Sequence, residues 1–138
     1  MANAFKMGDA FDVALAGTDI CADTFNLNMS RTVVEVRTSC GNSVVAGANQ
    51  YTIDASGPLG FGTSSTDAVC FTSITATSAE AWEFDPDGTG TASTSNPIYS
   101  GTTLASGYNI SASVGGAITY QYNATGTNSS GVPTRTTA

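Results

Sequence analysis

The stretch Tyr108-Asn-Ile-Ser-Ala-Ser-Val-Gly-Gly-Ala-Ile-Thr-Tyr-Gln-Tyr-Asn-Ala-Thr125 decides how the chain folds. Tyr108, Ile110, Ala112 and Val114 alternate with Asn109, Ser111 and Ser113. Beyond Gly115-Gly116, Ile118, Tyr120, Tyr122 and Ala124 alternate with Thr119, Gln121, Asn123 and Thr125. A period of two places one set of side chains on each face of a sheet, and Gly-Gly supplies the positive φ angles of a tight turn. The pattern predicts a β-hairpin with one apolar, aromatic face and one small, polar, uncharged face.

Working outward, the same alternation recurs. Phe11, Val13 and Leu15 mark a first strand, followed by a turn at Ala16-Gly-Thr-Asp19. Phe25, Leu27 and Met29 oppose Asn26, Asn28 and Ser30, and Val33–Thr38 continues the pattern. Gln50–Ala55 carries Tyr51 and Ile53 on one face, and Thr72–Thr77, Ala81–Phe84 and Ile98–Leu104 read as further strands. Residues 39–49 are small and flexible and predict a long loop. Asp85-Pro-Asp-Gly88 predicts a turn, and the Ser64-Ser-Thr-Asp67 cap signal predicts at most a short helix over Ser64–Phe71. No helical period is sustained, and strand signals every 8–12 residues or so point to a sandwich or barrel. The expectation is one mainly β domain over residues 1–138. It is an antiparallel β-sandwich or partial barrel with at most one short helix, an arm at 1–8 and a tail at 126–138. Phe25, Leu27, Met29, Ile118, Tyr120 and Tyr122 are expected in its core.

Composition narrows the function. Only 11% of the chain is charged, and the formal net charge is −7; an ordinary domain is about a quarter charged. Lys6, Arg31, Arg37 and Arg135 are scattered, so no basic patch exists to grip phosphates. Histidine is absent, which removes Ser-His-Asp and Cys-His catalysis and the commonest metal ligand. Glu80, Glu83, Asp85 and Asp87 lie close in sequence, whereas glycosidase carboxylates flank a cleft. Asp85-Pro-Asp87-Gly88 lacks the closing Glu of a calcium loop. Cys21, Cys40 and Cys70 have no metal-ligand spacing and are expected as small buried thiols, with one disulfide plus one free thiol as the alternative. No catalytic, cofactor-binding or metal-binding residue is expected. No run reaches the ~20 apolar residues of a membrane span. The first residues contain no apolar targeting segment; with residue 1 as the natural start, synthesis and first folding in the cytoplasm are expected, the alternative being a Met added to a mature secreted chain.

The order of elements carries a resemblance. Trp82-Glu-Phe-Asp-Pro-Asp-Gly-Thr89 precedes a polar loop and Asn96-Pro-Ile-Tyr-Ser-Gly-Thr-Thr-Leu104; the hairpin, Thr125-Gly126 and Thr134-Arg-Thr-Thr137 follow. Upstream, Gly17-Thr-Asp19 leads to the Phe25–Met29 strand, to Arg31 and Val33–Val36, and then to Gln50–Ala55. Over residues 8–137 this pattern resembles the major tail tube proteins of long, non-contractile-tailed bacteriophages. The resemblance implies a structural, non-enzymatic subunit of the virion tail, assembled in the host cytoplasm into stacked hexameric rings. Each subunit would give four strands to a β-barrel tube closed on oligomerisation. DNA would pass through as cargo that does not stick, and the partners would be the chain itself and tape-measure and tail-end proteins, with no membrane. Contractile tails and secretion needles share the fold. The family carries a helix outside the sheet, for which Ser64–Phe71 is the candidate here.

A lumen wall has to be polar, non-basic and free of bulk. Asn26, Asn28, Ser30, Thr119, Gln121, Asn123 and Thr125 meet that requirement and are the lumen-facing candidates. Cys40, Gly41, Asn42, Ser43, Val44 and Val45, in the 39–49 loop, are the candidates for contacts between rings, with the arm and the tail. Two other readings compete: another virion protein, such as a head-decoration or tail-terminator protein, and a secreted carbohydrate-binding β-sandwich stacking Trp82, Tyr99 and Tyr108 on sugars.

Overall fold

The computed structural model describes residues 11–127 and 131–138. The arm predicted at 1–8 lies outside the described residues, as does 128–130 of the tail. The elements run β1 (Asp12–Leu15), β2 (Thr18–Ile20), β3 (Thr24–Thr38), β4 (Gly41–Pro58), α1 (Thr66–Thr75), β5 (Glu80–Asp85), β6 (Ile98–Ser111), β7 (Thr119–Gly126) and β8 (Thr134–Thr136). They form a single antiparallel sheet in the order β2-β1-β5-β6-β7-β4-β3, with β8 added to β6.

The sheet curls until β3, at one end, faces β5 across the core. Phe25, on β3 at one end, stacks on Phe84 of β5 at a centroid distance of 4.5 Å, and lies 6.1 Å from Trp82. Tyr51 of β4 reaches Trp82 from the same side, at 5.9 Å. Inside the curl, Val13, Leu15, Tyr51, Ile53, Trp82, Tyr120, Tyr122 and Ala124 are buried. Each large side chain of this kind contributes on the order of 1.5–3 kcal/mol. The buried polar ends are paired: the Trp82 Nε1–H donates to the Tyr51 hydroxyl (3.2 Å), which donates to the Thr102 carbonyl (2.8 Å). The expected partial barrel is present, and it stays open in the single chain.

α1 covers the remaining opening. Ser65 caps it, accepting from the Ala68 N–H at 3.2 Å. Its buried residues are Thr66, Cys70 and Ser73, one helical stripe at i, i+4 and i+7. The stripe is made of small, weakly apolar residues, so the sequence shows no hydrophobic period there, and residues 72–75, read as strand, are helix. The Tyr108 hydroxyl donates to Asp67 Oδ1 at 2.7 Å, and the Tyr122 and Ser73 hydroxyls lie 2.7 Å apart. These bonds tie the helix to β6 and β7.

Several expectations are corrected. The 39–49 loop is strand: β3 and β4 pair continuously to Thr38 and Gly41, leaving only Ser39-Cys40 as the turn. The closing hairpin is shorter than its alternation, since β6 stops at Ser111 and β7 starts at Thr119. Thr18-Asp19, read as turn, belongs to β2, and the tail carries β8. Met29, 56% exposed, and Ile118 are not core residues, because they sit where the curled sheet no longer covers its own inner face. Cys70 alone of the three thiols is buried; all three are free.

Candidate assembly surfaces

Register brings the seven predicted lumen residues together. Residues directly opposite each other in a ladder point to the same face. Asn26, Asn28 and Ser30 oppose Asp54, Thr52 and Gln50. Thr52, Asp54, Ser56 and Pro58 oppose Thr125, Asn123, Gln121 and Thr119 in turn. Asn109 and Ser111 extend the row on β6 opposite Gln121 and Thr119. All seven candidates therefore lie on one face of the four-stranded section β6-β7-β4-β3, turned away from the core.

One acidic residue is centred in that face. Asp54 stands between Asn26 on β3 and Asn123 on β7, and its Oδ2 accepts from the Asn28 side-chain amide at 3.4 Å. The alternation of Tyr51 and Ile53 already puts Asp54 on the polar side of its strand. What the sequence does not give is which strands flank it. No Lys or Arg belongs to the opposed set on this face among the described residues.

The same section has two open edges. β3 lies at the end of the sheet, with no strand beyond it among the described residues. β6 pairs with β5 only from Tyr99 to Thr103. Its edge from Leu104 to Ser111, on the side away from β7, is likewise unpaired among the described residues. Neighbours in this section alternate in direction, so β3 of one copy laid against β6 of another continues the antiparallel pattern.

Beyond Arg31, β3 and β4 leave the domain as a two-stranded ribbon. Pairing slips between Arg31 and Val33, where β4 carries the extra residue. Gly47 sits at the slip, and a Cβ there would come within 2.8 Å of the Thr32 carbonyl oxygen. The ribbon exposes Val33, Val34, Val36, Val44 and Val45, with Val44 at 70%. It holds five of the six ring-contact candidates, Gly41, Asn42, Ser43, Val44 and Val45, on β4, while Cys40 is at its tip. Val34 pairs with Val45 and Val36 with Ser43, making one uncharged face; the other carries the Glu35–Arg37 ion pair at 2.9 Å. The root is braced by the tail, where a Cβ on Gly131 would collide with the Asn49 carbonyl.

Other ionisable groups are tied into the fold. Burial works to raise the Asp85 carboxyl, but hydrogen bonds from Asn96, Gly90, Asp87 and Gly88 outweigh it and hold the group below its ordinary range. These donors saturate the carboxylate. Burial, with Asp67 nearby, pushes the Cys70 thiol up to about 12, so it stays protonated near neutrality and is no nucleophile. Trp82 is 2% exposed and cannot stack on a sugar, which removes the main anchor of the carbohydrate-binding reading. No group of three or more His, Cys, Asp or Glu able to hold a metal occurs among the described residues.

No protein-family model matches the sequence, and no curated protein matches it by sequence. Solved structures do match. A chain in the virion of a native gene transfer agent particle superposes with a TM-score of 0.73 at 13% identity, over 96% of this chain and 99% of that one. A chain in the tail of an empty gene transfer agent particle, obtained with helical refinement and C6 symmetry, gives 0.65 at 13% identity, over 94% of each. A chain in the six-fold symmetrised baseplate of the anti-feeding prophage gives 0.68 at 8% identity, over 99% of this chain and 97% of that one. The protein thus has the fold of chains built into phage-like tail and baseplate particles, over 94–99% of its length.

Proposed function

We propose that the protein is a non-enzymatic structural subunit of a phage tail tube of the long, non-contractile kind, closing into rings that stack and conduct DNA. The observation that carries this reading is the pairing of two open edges with one polar face on the same four strands. Exposed edges are aggregation-prone unless something covers them. Joining β3 of each copy to β6 of the next covers both at once and closes a barrel.

The face defined by Asn26, Asn28, Ser30, Thr119, Gln121, Asn123 and Thr125 then lines the lumen, with Asp54 in its middle. Size agrees with six copies, the symmetry of the gene transfer agent tail. Six sets of four strands at ~4.8 Å spacing give a circumference of roughly 115 Å and a backbone diameter of about 37 Å before strand tilt. Side chains reaching ~5 Å inward, half the usual separation of packed sheets, leave roughly 27 Å. Such a bore admits a nucleic-acid duplex. The carboxylates and amides of its wall offer phosphates no cation to hold.

The ribbon, with Cys40, Gly41, Asn42, Ser43, Val44 and Val45 in its outer part, is the contact between rings. Assembly would take place in the host cytoplasm, and the finished tube would join tape-measure and tail-end proteins. Negative-stain microscopy of concentrated purified protein tests the proposal: the expected particles are hollow tubes with six-fold end views. Persistent monomers, or two-fold dimers joined through β3 alone, would overturn it.

A further inference from the structure

The ribbon rises from one end of the sheet, and the other end is a distinct surface. There Pro58 opposes Thr119 and Ser111 opposes Thr119 from the other side, so β4, β7 and β6 meet that end together. The two connections beyond them touch: the Leu59 N–H donates to the Ile118 carbonyl at 2.9 Å. Phe61 from one connection, Val114 and Ile118 from the other, and Ile110 near the end of β6 are all exposed. The far end of a low-charge domain thus presents four apolar side chains, and the ribbon presents its valines at the opposite end.

Charge separates the two ends in the same way. Segment 31–49 contains Arg31, Arg37 and Glu35, a formal +1, which leaves −7 − 1 = −8 for the rest of the chain. The far end contributes Asp23, whose N–H donates to the Ser56 carbonyl at 2.9 Å, and no Lys or Arg lies within 56–67 or 109–121. An apolar, cation-leaning projection and an apolar, anion-leaning seat occur on one chain, facing opposite ways.

We infer that the surface formed by Phe61, Ile110, Val114 and Ile118 is the seat for the ribbon of a second copy in the next ring, received on its Val34/Val36/Val45 face. This rests on the stacked-ring reading and adds the receiving surface to it. The contact is heterologous, head to tail, and such contacts propagate into open stacks when the rotation does not close them. The seat consists of exposed side chains, so it can be altered without emptying the core.

The experiment uses three forms of the full chain: wild type, a seat variant (Phe61→Ser, Val114→Ser, Ile118→Ser) and a ribbon variant (Val34→Ser, Val36→Ser, Val45→Ser). Thermal melting first establishes that each variant unfolds as wild type does. Wild type is expected to form tubes, and each variant alone only single rings by microscopy and sedimentation. Mixed rings of the two variants retain one good ribbon and one good seat between them, so two-ring stacks and nothing longer are expected. Normal tubes from the folded seat variant, or mixed rings that stay single, would overturn the seat while leaving the tube reading in place. Wild-type protein that forms no rings would remove the tube reading and this inference together.

Discussion

The hydroxyls of Tyr122 and Ser73 lie 2.7 Å apart, joining β7 to α1 inside the core. Burial raises the Tyr122 phenol above its ordinary range, although its bonds to Ser73 and Thr103 work against that rise. The pair is the buried polar bond that holds the helix over the curl of the sheet. Ser73→Ala should cost about 1 kcal/mol, near the net worth of one hydrogen bond. A double-mutant cycle with Tyr122→Phe, read by urea unfolding, should give a coupling of about 0.5–1.5 kcal/mol. Zero coupling would mean that the bond does not anchor the helix.

Gly126 ends β7 with no room for a side chain. A Cβ there would collide with the Tyr51 ring, and that ring is held by the bonds of its hydroxyl to Trp82 and Thr102. Gly126→Ala should therefore destabilise the fold by about 1–3 kcal/mol through overpacking. Gly60, whose Cβ would meet nothing within 4 Å, is the control: Gly60→Ala should stay within about 0.5 kcal/mol of wild type. Denaturant midpoints measured side by side check both.

Asp85 sets an acid limit on stability. Its carboxyl is held below the ordinary carboxylate value in the folded chain, so the unfolded chain binds the proton more readily. The contribution of Asp85 is fully present above the unfolded value of ~3.9 and is lost as pH falls through the lower folded value. Asp85→Asn should lower stability near neutrality and flatten the decline of the melting temperature below about pH 4. An unchanged acid limb in that variant would assign the limb to other carboxylates.

Asp54 should govern how the bore treats DNA. Asp54→Lys changes the charge of a six-membered ring by twelve units without touching the core, and tubes should still form. Wild-type tubes are expected to retain no duplex at about 0.15 M salt. The variant tubes should retain it and release it as salt rises, the signature of phosphate contacts. Co-sedimentation of labelled duplex with tubes reads this directly, and equal behaviour of the two would place Asp54 away from the lumen.

Much of the architecture could be read from alternation. Every predicted lumen residue shares one face in the structure because each lies on a strand whose opposite side is apolar, and register cannot slip by one residue without exposing that side. The ribbon escaped for the converse reason. Both of its faces meet solvent in the single chain, so Val33, Val34, Val44 and Val45 leave no period, and Gly41, Asn42 and Gly47 read as loop. α1 was legible only at its cap, since Thr66, Cys70 and Ser73 bury small side chains. β2 and β8, three residues each, are too short to show a pattern and exist because neighbouring strands offer them an edge. The place of Asp54 depended on strand order, which no local pattern encodes.

If rings stack head to tail, the ribbon at one end of each subunit gives the stack a direction. One terminus would then end in unpartnered valine-bearing ribbons and the other in unoccupied receiving surfaces. The molecules that start and finish such a stack would have to recognise chemically different ends.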